Sequence, residues 1–358
     1  MQIVQLRADN FRRFEHLSLP QNRPFSGRLN LFVGENAAGK TTLLEMLYCL
    51  NRGRSFRGTS PQELLGKGKA QWTVFSKLRS TNGFEHAVGL QWSSSGVQAR
   101  IDGKPAVASE LLRLAPAQIL EPGMHKILLD GPTYRRSFID WGVFHVEHVF
   151  LDAWRRYRRA LRQRNQLLRQ QRSEREIAAW EPELAESGDV IHRLRLAHLQ
   201  RIAPRARQRI QALLAEGEWE FELHPGWPAQ SSLREVLAQQ RKRDLQFATT
   251  MNGPHRAELK IRAGERSVRN RISRGQQKLL LAALLLSQCE EIHAQAGVAP
   301  ILLVDDFTAE LAVHYQRAFL GELQAYAGQV FITAFELNEV LQRAAPAVFH
   351  VEHGTAHD

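Results

Sequence analysis

Apolar residues follow two rhythms along this chain. Between residues 2 and 20 they largely alternate with polar ones: Ile3, Val4 and Leu6, then Phe11, Phe14, Leu17 and Leu19. A period of two predicts two strands joined by a turn around residues 10–15. Leu29–Val33 predicts a third strand. The rhythm then changes: Leu43, Leu44, Leu47 and Leu50 recur at helical spacing. They predict a helix that starts near Lys40 and ends at Asn51-Arg52-Gly53, with Gly53 just past its end. Residues 54–70 read as a loop with a short helix at 61–65. Segments 71–78, 85–92 and 97–101 alternate again, with Phe75 out of step, and Asp102-Gly103 is a hairpin turn. They predict an antiparallel meander, basic on its solvent side. Ala117–Leu120 predicts a buried strand.

From Gly131 the pattern is helical. Nine arginines lie between Arg155 and Arg175, against only two acids, Glu174 and Glu176, at or beside the end of the run. A second run holds Arg193, Arg195, Arg201, Arg205, Arg207 and Arg209, with Pro204 kinking or breaking the helix. Leu194, Leu196, Leu199, Ile202, Ile210, Leu213 and Leu214 form a candidate buried stripe. Two long antiparallel helices are expected, with residues 180–188 between them. A short strand at 219–223 and a helix near 233–243 follow, and from Met251 the chain reads as loop. Residues 268–272 lead into a strongly apolar helix with a polar tip, SRGQQKLLLAALLLSQCEEI. The strand ILLVDDF, residues 301–307, ends in two carboxylates, and 329–333 and 347–351 are further apolar strands. Helix, strand, helix, strand is the signature of the parallel half of an α/β sheet. The expected organisation is one α/β domain from residues 1–124 and 251–358, with a mainly helical arm, 125–250, inserted.

Composition narrows the partners more than the fold. With 358 residues, 43% hydrophobic and 24% charged, the chain has a soluble globular make-up. No run of about 18 apolar residues occurs, which predicts no membrane span. The first residues lack the apolar core of a signal peptide, so a cytoplasmic location is expected. Cys49 and Cys289 both fall in apolar helical patterns and read as small core residues in a reducing compartment. A net charge of +11 and a pI near 10.1 point to a polyanion. The arginine runs read equally as phosphate contacts or as a solvated face covering apolar surface with its methylenes.

The candidate chemistry sits between the third strand and the first helix. Gly34, Glu35, Asn36, Ala37, Ala38, Gly39, Lys40 and Thr41, followed by Thr42, fit G-x-x-x-x-G-K-[ST] in a strand–loop–helix context. A tight turn aims backbone N–H groups at a phosphate chain, and the helix N-terminus adds its positive dipole end. Lys40 is expected on the β- and γ-phosphates, and the Thr41 hydroxyl on Mg²⁺. The second element is Asp305-Asp306, at the carboxyl end of a strand, where open α/β sheets bind ligands. Asp305 is expected to bind Mg²⁺, directly or through water. Asp306 is expected to face the γ-phosphate and to orient or deprotonate a water. A plain strand-end turn is the alternative reading of that pair. Together the two elements imply ATP hydrolysis.

Four stretches carry a resemblance: FRRFE with GENAAGKTTLLE, GPTYRRSFIDWGVFH at 131–145, GPHRAEL at 253–259, and SRGQQKLLLAALLL with LLVDDFTAEL. Over essentially its full length the chain resembles the RecF family of bacterial recombination mediators, relatives of the SMC- and ABC-type ATPases. The resemblance implies an ABC/SMC-type ATPase head, a mixed sheet with a parallel core plus the meander, carrying the inserted arm. It implies that Ser273, Arg274, Gly275 and Gln276 are a signature segment touching the γ-phosphate held by a second subunit, though Ser273 fits a helix N-cap as well. Gln118 takes the place of a glutamine that reaches Mg²⁺ and the attacking water; a buried strand-end amide is its other reading. Arg12 and Arg13 lie where basic residues flank the phosphates, and Arg135 and Arg136 are structural or dimer contacts.

The chain departs from the family where Leu-Asp usually follows Glu310. Here Leu311-Ala312 stands, so an aspartate that couples two sites is missing. The implied protein is a weak, DNA-stimulated ATPase of replication and recombinational repair. Its ATP-dependent homodimer would bind single-stranded, junction or duplex DNA, with Arg155, Arg158 and Arg162 as candidate contacts. RecO- and RecR-type partners follow from the resemblance alone. Two other readings remain: an ATP-binding clamp with negligible hydrolysis, and a transporter ATPase subunit. The transporter reading requires LSGGQ and a histidine after the last sheet strand, where this chain has SRGQQ and Ala334.

Overall fold

In the computed structural model of the chain, which describes residues 1–214, 218–264, 266–267, 272–344 and 346–358, the alternating N-terminal segments form β1 (Gln2–Phe11) and β2 (Phe14–Leu19). They pair as a hairpin that turns at Arg12-Arg13, with Phe11 opposite Phe14. β3 (Leu29–Val33) leads into α1 (Lys40–Arg52), which ends at Gly53 in the left-handed conformation, φ 67°. β4 (Trp72–Arg79), β5 (Glu85–Ser93), β6 (Gly96–Ile101) and β7 (Lys104–Ala106) complete an antiparallel sheet of order β2-β1-β4-β5-β6-β7. Phe75 does not break the alternation in β4. It is half-exposed, while its neighbour Ser76 is buried and donates its hydroxyl to the Gln5 carbonyl at 2.8 Å. A polar residue inside the sheet disguised the period. α2 (Ala108–Leu114), which the pattern did not suggest, precedes β8 (Ala117–Leu120).

The chain forms two compact units, and the segments above belong to the first. That unit comprises Met1–Met124, Ala212–Leu214 and Arg274–Asp358; the second comprises His125–Gln211 and the described part of Ala215–Ser273. The described residues of 251–273 thus cluster with the helical unit. The second unit contains α3 (Lys126–Leu129), α4 (Pro132–Val146), α5 (Phe150–Arg169), α6 (Glu174–Ala178) and most of α7 (Glu181–Leu214). β9 (Trp219–His224), α8 (Leu233–Gln239), α9 (Arg241–Phe247), β10 (Glu258–Ala263) and β11 (Arg266–Ser267) follow. The stretch after Met251, read as loop, includes β10, which pairs with β9 along its length. Most of the segment 268–272 lies outside the described residues.

Three helical expectations are corrected here. Residues 181–188 are the first turns of α7, and the connector is the shorter stretch around α6. α7 runs through Pro204 without a break, flanked by buried Ile202, Ala203 and Ala206, so packing offsets the lost backbone bond. The helix expected over 233–243 is two, α8 and α9, meeting at Gln240. The stripe on α7 is also less apolar than its spacing suggests. Leu196 is exposed, whereas Arg195 is buried and paired with Asp140 at 2.6 Å while donating to the Pro254 carbonyl at 2.7 Å.

α10 (Arg274–Ala296) returns the chain to the first unit, followed by β12 (Ile301–Val304), α11 (Val313–Ala325), β13 (Val330–Ala334), α12 (Glu339–Arg343), β14 (Ala347–Glu352) and β15 (Thr355–His357). The second sheet has the order β15-β14-β3-β13-β12-β8 and is parallel except for β15. Its central strands are buried on both faces, which is why they read as continuous apolar runs. α1 packs between the two sheets, against β4 and β5 on one side and β8 and β13 on the other. It is buried on nearly every side, Glu45 and Asn51 included. Phe11 meets Trp72 edge-on at 5.2 Å in the same core. Among the described residues no helix is long and apolar enough to cross a membrane.

Candidate phosphate-binding cleft

β3 lies in the middle of the parallel sheet, between β13 and β14, so its carboxyl end delivers residues 34–39 to the sheet's edge of strand ends. Two glycines have a physical reason to be there. A Cβ on Gly34 would lie 2.1 Å from the Val351 carbonyl oxygen of β14. Gly39 adopts φ 122°, and a Cβ there would meet the Phe14 ring at 2.8 Å. Ala37 is also left-handed, at φ 64°. The loop is thus folded tightly before α1 begins at Lys40.

Four strand ends converge on one cavity of about 390 Å³. Its lining includes Lys40, Thr41 and Thr42 from α1, Asp305 and Asp306 after β12, and Thr333 at the end of β13. Arg12 and Arg13 of the first hairpin reach it too, as do Asn36, Ala37 and Gly39 of the loop. That volume suits a small ligand. Lys40 donates to the carbonyls of Gly34 and Glu35 at 2.6 and 2.7 Å. Burial pushes its pKa down, and the charges of Asp306 and Asp305 pull it back up.

The carboxylate side is a hydrogen-bonded relay. The Thr41 and Thr333 hydroxyls both donate to Asp305 Oδ1, at 2.9 and 2.7 Å. The Asp306 N–H donates to Thr333 Oγ1 at 2.8 Å. Burial raises the pKa of Asp305, while these hydroxyls and the charge of Arg57 oppose the rise. Asp306 is exposed and left-handed, φ 51°. Thr41 and Asp305 bring a hydroxyl and a carboxylate oxygen together, the hard donors a divalent cation prefers. Among the described residues no group of three or more His, Cys, Asp or Glu is placed to hold a metal.

Arg12 and Arg13 do different work. Arg12 makes a two-pronged ion pair with the buried Glu45 of α1, at 2.5 and 2.9 Å. Arg13 donates to the Ala37 carbonyl at 2.6 Å and so ties the hairpin to the loop. A second hollow, also of about 390 Å³, shares both arginines and adds Lys67, Lys69 and His353.

Other sequence-selected residues lie elsewhere. Gln118 is buried within β8, opposite Leu302, and does not line the cleft. Ser273 is exposed just before α10, Gly275 is buried and Gln276 half-buried; none lines the cleft. In the second unit, Arg155, Arg158 and Arg162 are exposed along α5, with Arg158 lying 4.5 Å over the Trp154 ring. Their neighbours are not free. Arg164 is fully buried between Asp244, at 2.7 Å, and Glu181, at 3.1 Å. Arg156 pairs with Glu183, and Arg135 with Glu258. The acids that balance these runs come from distant positions, so counting charges within the run could not reveal them.

Four cleft residues escaped the sequence reading: Arg57, Pro122, Thr333 and Phe335. Arg57 sits in a basic segment read only as loop, Thr333 in an apolar strand. Phe335 is half-exposed at the mouth, one residue past β13.

The family described as RecF/RecN/SMC N terminal domain matches residues 2–357. A "DNA replication and repair protein RecF" from Thioalkalivibrio sulfidiphilus is 37% identical over 359 residues, covering 99% of each chain. One from Xanthomonas axonopodis pv. citri is 38% identical over 363 residues, covering 99% of this chain and 98% of its own. The solved recombination mediator protein RecF in its ATP form superposes with a TM-score of 0.86 at 25% identity, covering 99% of this chain and 96% of that one. The Smc head bound to the C-winged helix domain of ScpA shares the fold, with a TM-score of 0.61 at 16% identity and coverage of 100% and 96%.

Proposed function

The chain belongs to the RecF family within the RecF/RecN/SMC group, and from that premise we propose that it is an ATP-dependent DNA-binding protein of replication and recombinational repair. The observation that carries the reading is the meeting of Lys40, Thr41, Asp305 and Asp306 in one cleft, although 264 positions separate Thr41 from Asp305. The ATP form of the related RecF supports ATP as the ligand.

Lys40 exchanges its two loop carbonyls for β- and γ-phosphate oxygens, and the loop N–H groups and the α1 N-terminus take the rest of the chain. Thr41 and Asp305 would hold a Mg²⁺, which would neutralise phosphate charge. Asp306 would orient the attacking water, and Arg57 and Arg13 add positive charge at the cleft. Gln118, buried within β8 and outside the cleft lining, is given no role in this reading. Segment 273–276 lies outside the lining, which suits a signature segment supplied by a second subunit. ATP then closes a homodimer on DNA, slow hydrolysis opens it, and RecO- and RecR-type proteins use the bound state to load recombinase. Arg155, Arg158 and Arg162 offer the phosphate contacts.

A clamp with negligible turnover is favoured by one feature: Ala312, where the family's coupling aspartate is absent. Single-turnover hydrolysis with and without DNA separates it from the switch. Sedimentation with ATP, with ADP and with ATP plus DNA tests the dimer. Lys40→Met is expected to lose nucleotide binding and association together; association of that variant with ATP overturns the composite site. Ser273→Arg is expected to bind ATP but stay monomeric.

A further inference from the structure

α10 begins with the segment that the composite-site reading places against a partner's nucleotide, and the inference here rests on that reading. Gly275 and Lys278 are three residues apart and share one face of the helix. That face meets the turn 306–310, which follows β12 and starts with the water-orienting Asp306. A Cβ on Gly275 would lie 2.5 Å from the Glu310 carbonyl oxygen, so helix and turn touch backbone to backbone. Lys278 Nζ donates to the carbonyls of Asp306, Phe307 and Ala309, at 2.5, 3.2 and 3.1 Å. An ammonium has three protons, and the turn takes all of them. Both ends of the turn, Asp306 and Glu310, are left-handed, at φ 51° and 66°, without being glycine. Such a conformation persists only where its surroundings hold it. Burial pushes the Lys278 pKa down to about 8, against the pull of Asp306, Glu310 and Asp305. The position that would carry the family's coupling aspartate is Ala312, which caps α11 with no side-chain bond.

We propose that Lys278 is a positioning residue that couples the two composite sites of the dimer: it ties the carboxylate turn of a subunit's own site to the segment 273–276 that the same subunit presents to its partner. When Asp306 engages phosphate and water, its backbone moves with it. Three directional bonds carry that movement to α10, and the contact at Gly275 leaves no slack between them. The segment at the helix start then closes on the partner's nucleotide only when its own site is filled. A brace that served stability alone would raise the melting temperature and leave cooperativity unchanged.

The test compares wild type, Lys278→Arg, Lys278→Gln and Lys278→Met as full-length chains. The readouts are ATP affinity, melting temperature, sedimentation with ATP, and the Hill coefficient of ATP turnover. Wild type is expected to associate with ATP and to show a Hill coefficient of about 2, the number of sites. Lys278→Met and Lys278→Gln are expected to keep ATP affinity within about threefold and to associate. Their Hill coefficient should fall towards about 1 and turnover should drop about tenfold, with Lys278→Arg restoring most of both. A folded Gln or Met variant with wild-type cooperativity overturns the proposal. Loss of fold in both assigns the lysine to stability and overturns it too. Wild type that fails to associate with ATP overturns instead the composite-site reading on which the proposal stands.

Discussion

At the scale of the residue, the cleft is organised by hydroxyls and carboxylates whose partners are set by burial. Thr333 is the clearest case. It lies at the end of an apolar strand, yet its hydroxyl both donates to Asp305 and accepts from the Asp306 N–H. Thr333→Val keeps the shape and removes both bonds, leaving the part-buried Asp306 N–H unsatisfied. The expected cost is about 1–3 kcal/mol of stability. ATP turnover should fall more than ATP affinity, because the water-orienting carboxylate loses its support while Lys40 and the loop are untouched. Equal losses in single-turnover rate and equilibrium affinity would show that Thr333 does not position Asp306. Glu45 works similarly on the other wall. It is fully buried, accepts from both the Arg12 guanidinium and the Ser55 hydroxyl, and so fixes an arginine at the cleft from behind. Cys49, on the same helix, has its thiol pKa pushed up by burial and behaves as a core residue.

At the scale of the element, α5 shows how one helix divides its arginines. Arg164 faces inward and is consumed by Asp244, Glu181 and the Thr250 hydroxyl. Arg155, Arg158 and Arg162 recur at i, i+3 and i+7, and all three are exposed. A solvated face and a phosphate-binding face look alike in isolation, but they differ in response to salt. Replacing all three by Glu is expected to weaken DNA binding and to reduce the slope of log affinity against log salt by about 2–3, roughly one unit per lost contact. Fluorescence anisotropy across a salt series measures it; an unchanged slope would assign the stripe to solvation. The inward set is not exchangeable with this one, since breaking a buried ion pair costs about 3–5 kcal/mol.

At the scale of the whole molecule, buried histidines contribute to the acid side of stability. His255 sits in the GPHRAEL stretch. Its Nε2 faces the Thr250 carbonyl at 3.0 Å and must carry the proton, so Nδ1 accepts from the Tyr157 hydroxyl at 2.5 Å. Burial pushes its pKa down to about 4, with the nearby Arg256, Arg136 and Arg195 acting in the same direction and the Thr250 bond opposing. His198, also buried, is pushed down to about 3, with Arg201 adding to the effect. Both groups are neutral in the folded chain and protonate first in the unfolded one. Their contribution to stability is therefore full above about pH 6.5 and falls as pH drops from about 6.5 towards 4, by about 3 kcal/mol for His255 alone. Urea unfolding at pH 7.5, 6.0 and 5.0 should show the midpoint falling with pH, and His255→Gln should flatten that fall. A midpoint independent of pH in this window contradicts the assignment.

Much of the first unit was legible before the structure. β3, the loop at 34–39 and α1 were plain because each obeys a local rule: an apolar run, two glycines, a helical period closed by Gly53. The carboxylate strand was plain for the same reason. Less legible were the features that rest on tertiary partners. Ser76 broke the alternation because its hydroxyl is satisfied by a neighbouring strand. α7 did not break at Pro204 because packing outweighs one backbone bond, and Arg195 took a core position because Asp140 waits for it from α4.

By itself the sequence determined the phosphate loop, the carboxylate pair, the order of strands and helices around them and the basic character of the chain. These depend on spacing and composition, which are properties of the chain alone. Only the tertiary structure decided which arginines remain exposed, that Arg57 and Thr333 stand at the cleft, that Gln118 does not, and that Lys278 joins α10 to the carboxylate turn. Each of these depends on which distant group supplies a charge, a hydroxyl or a carbonyl, and that information exists only once the chain has folded.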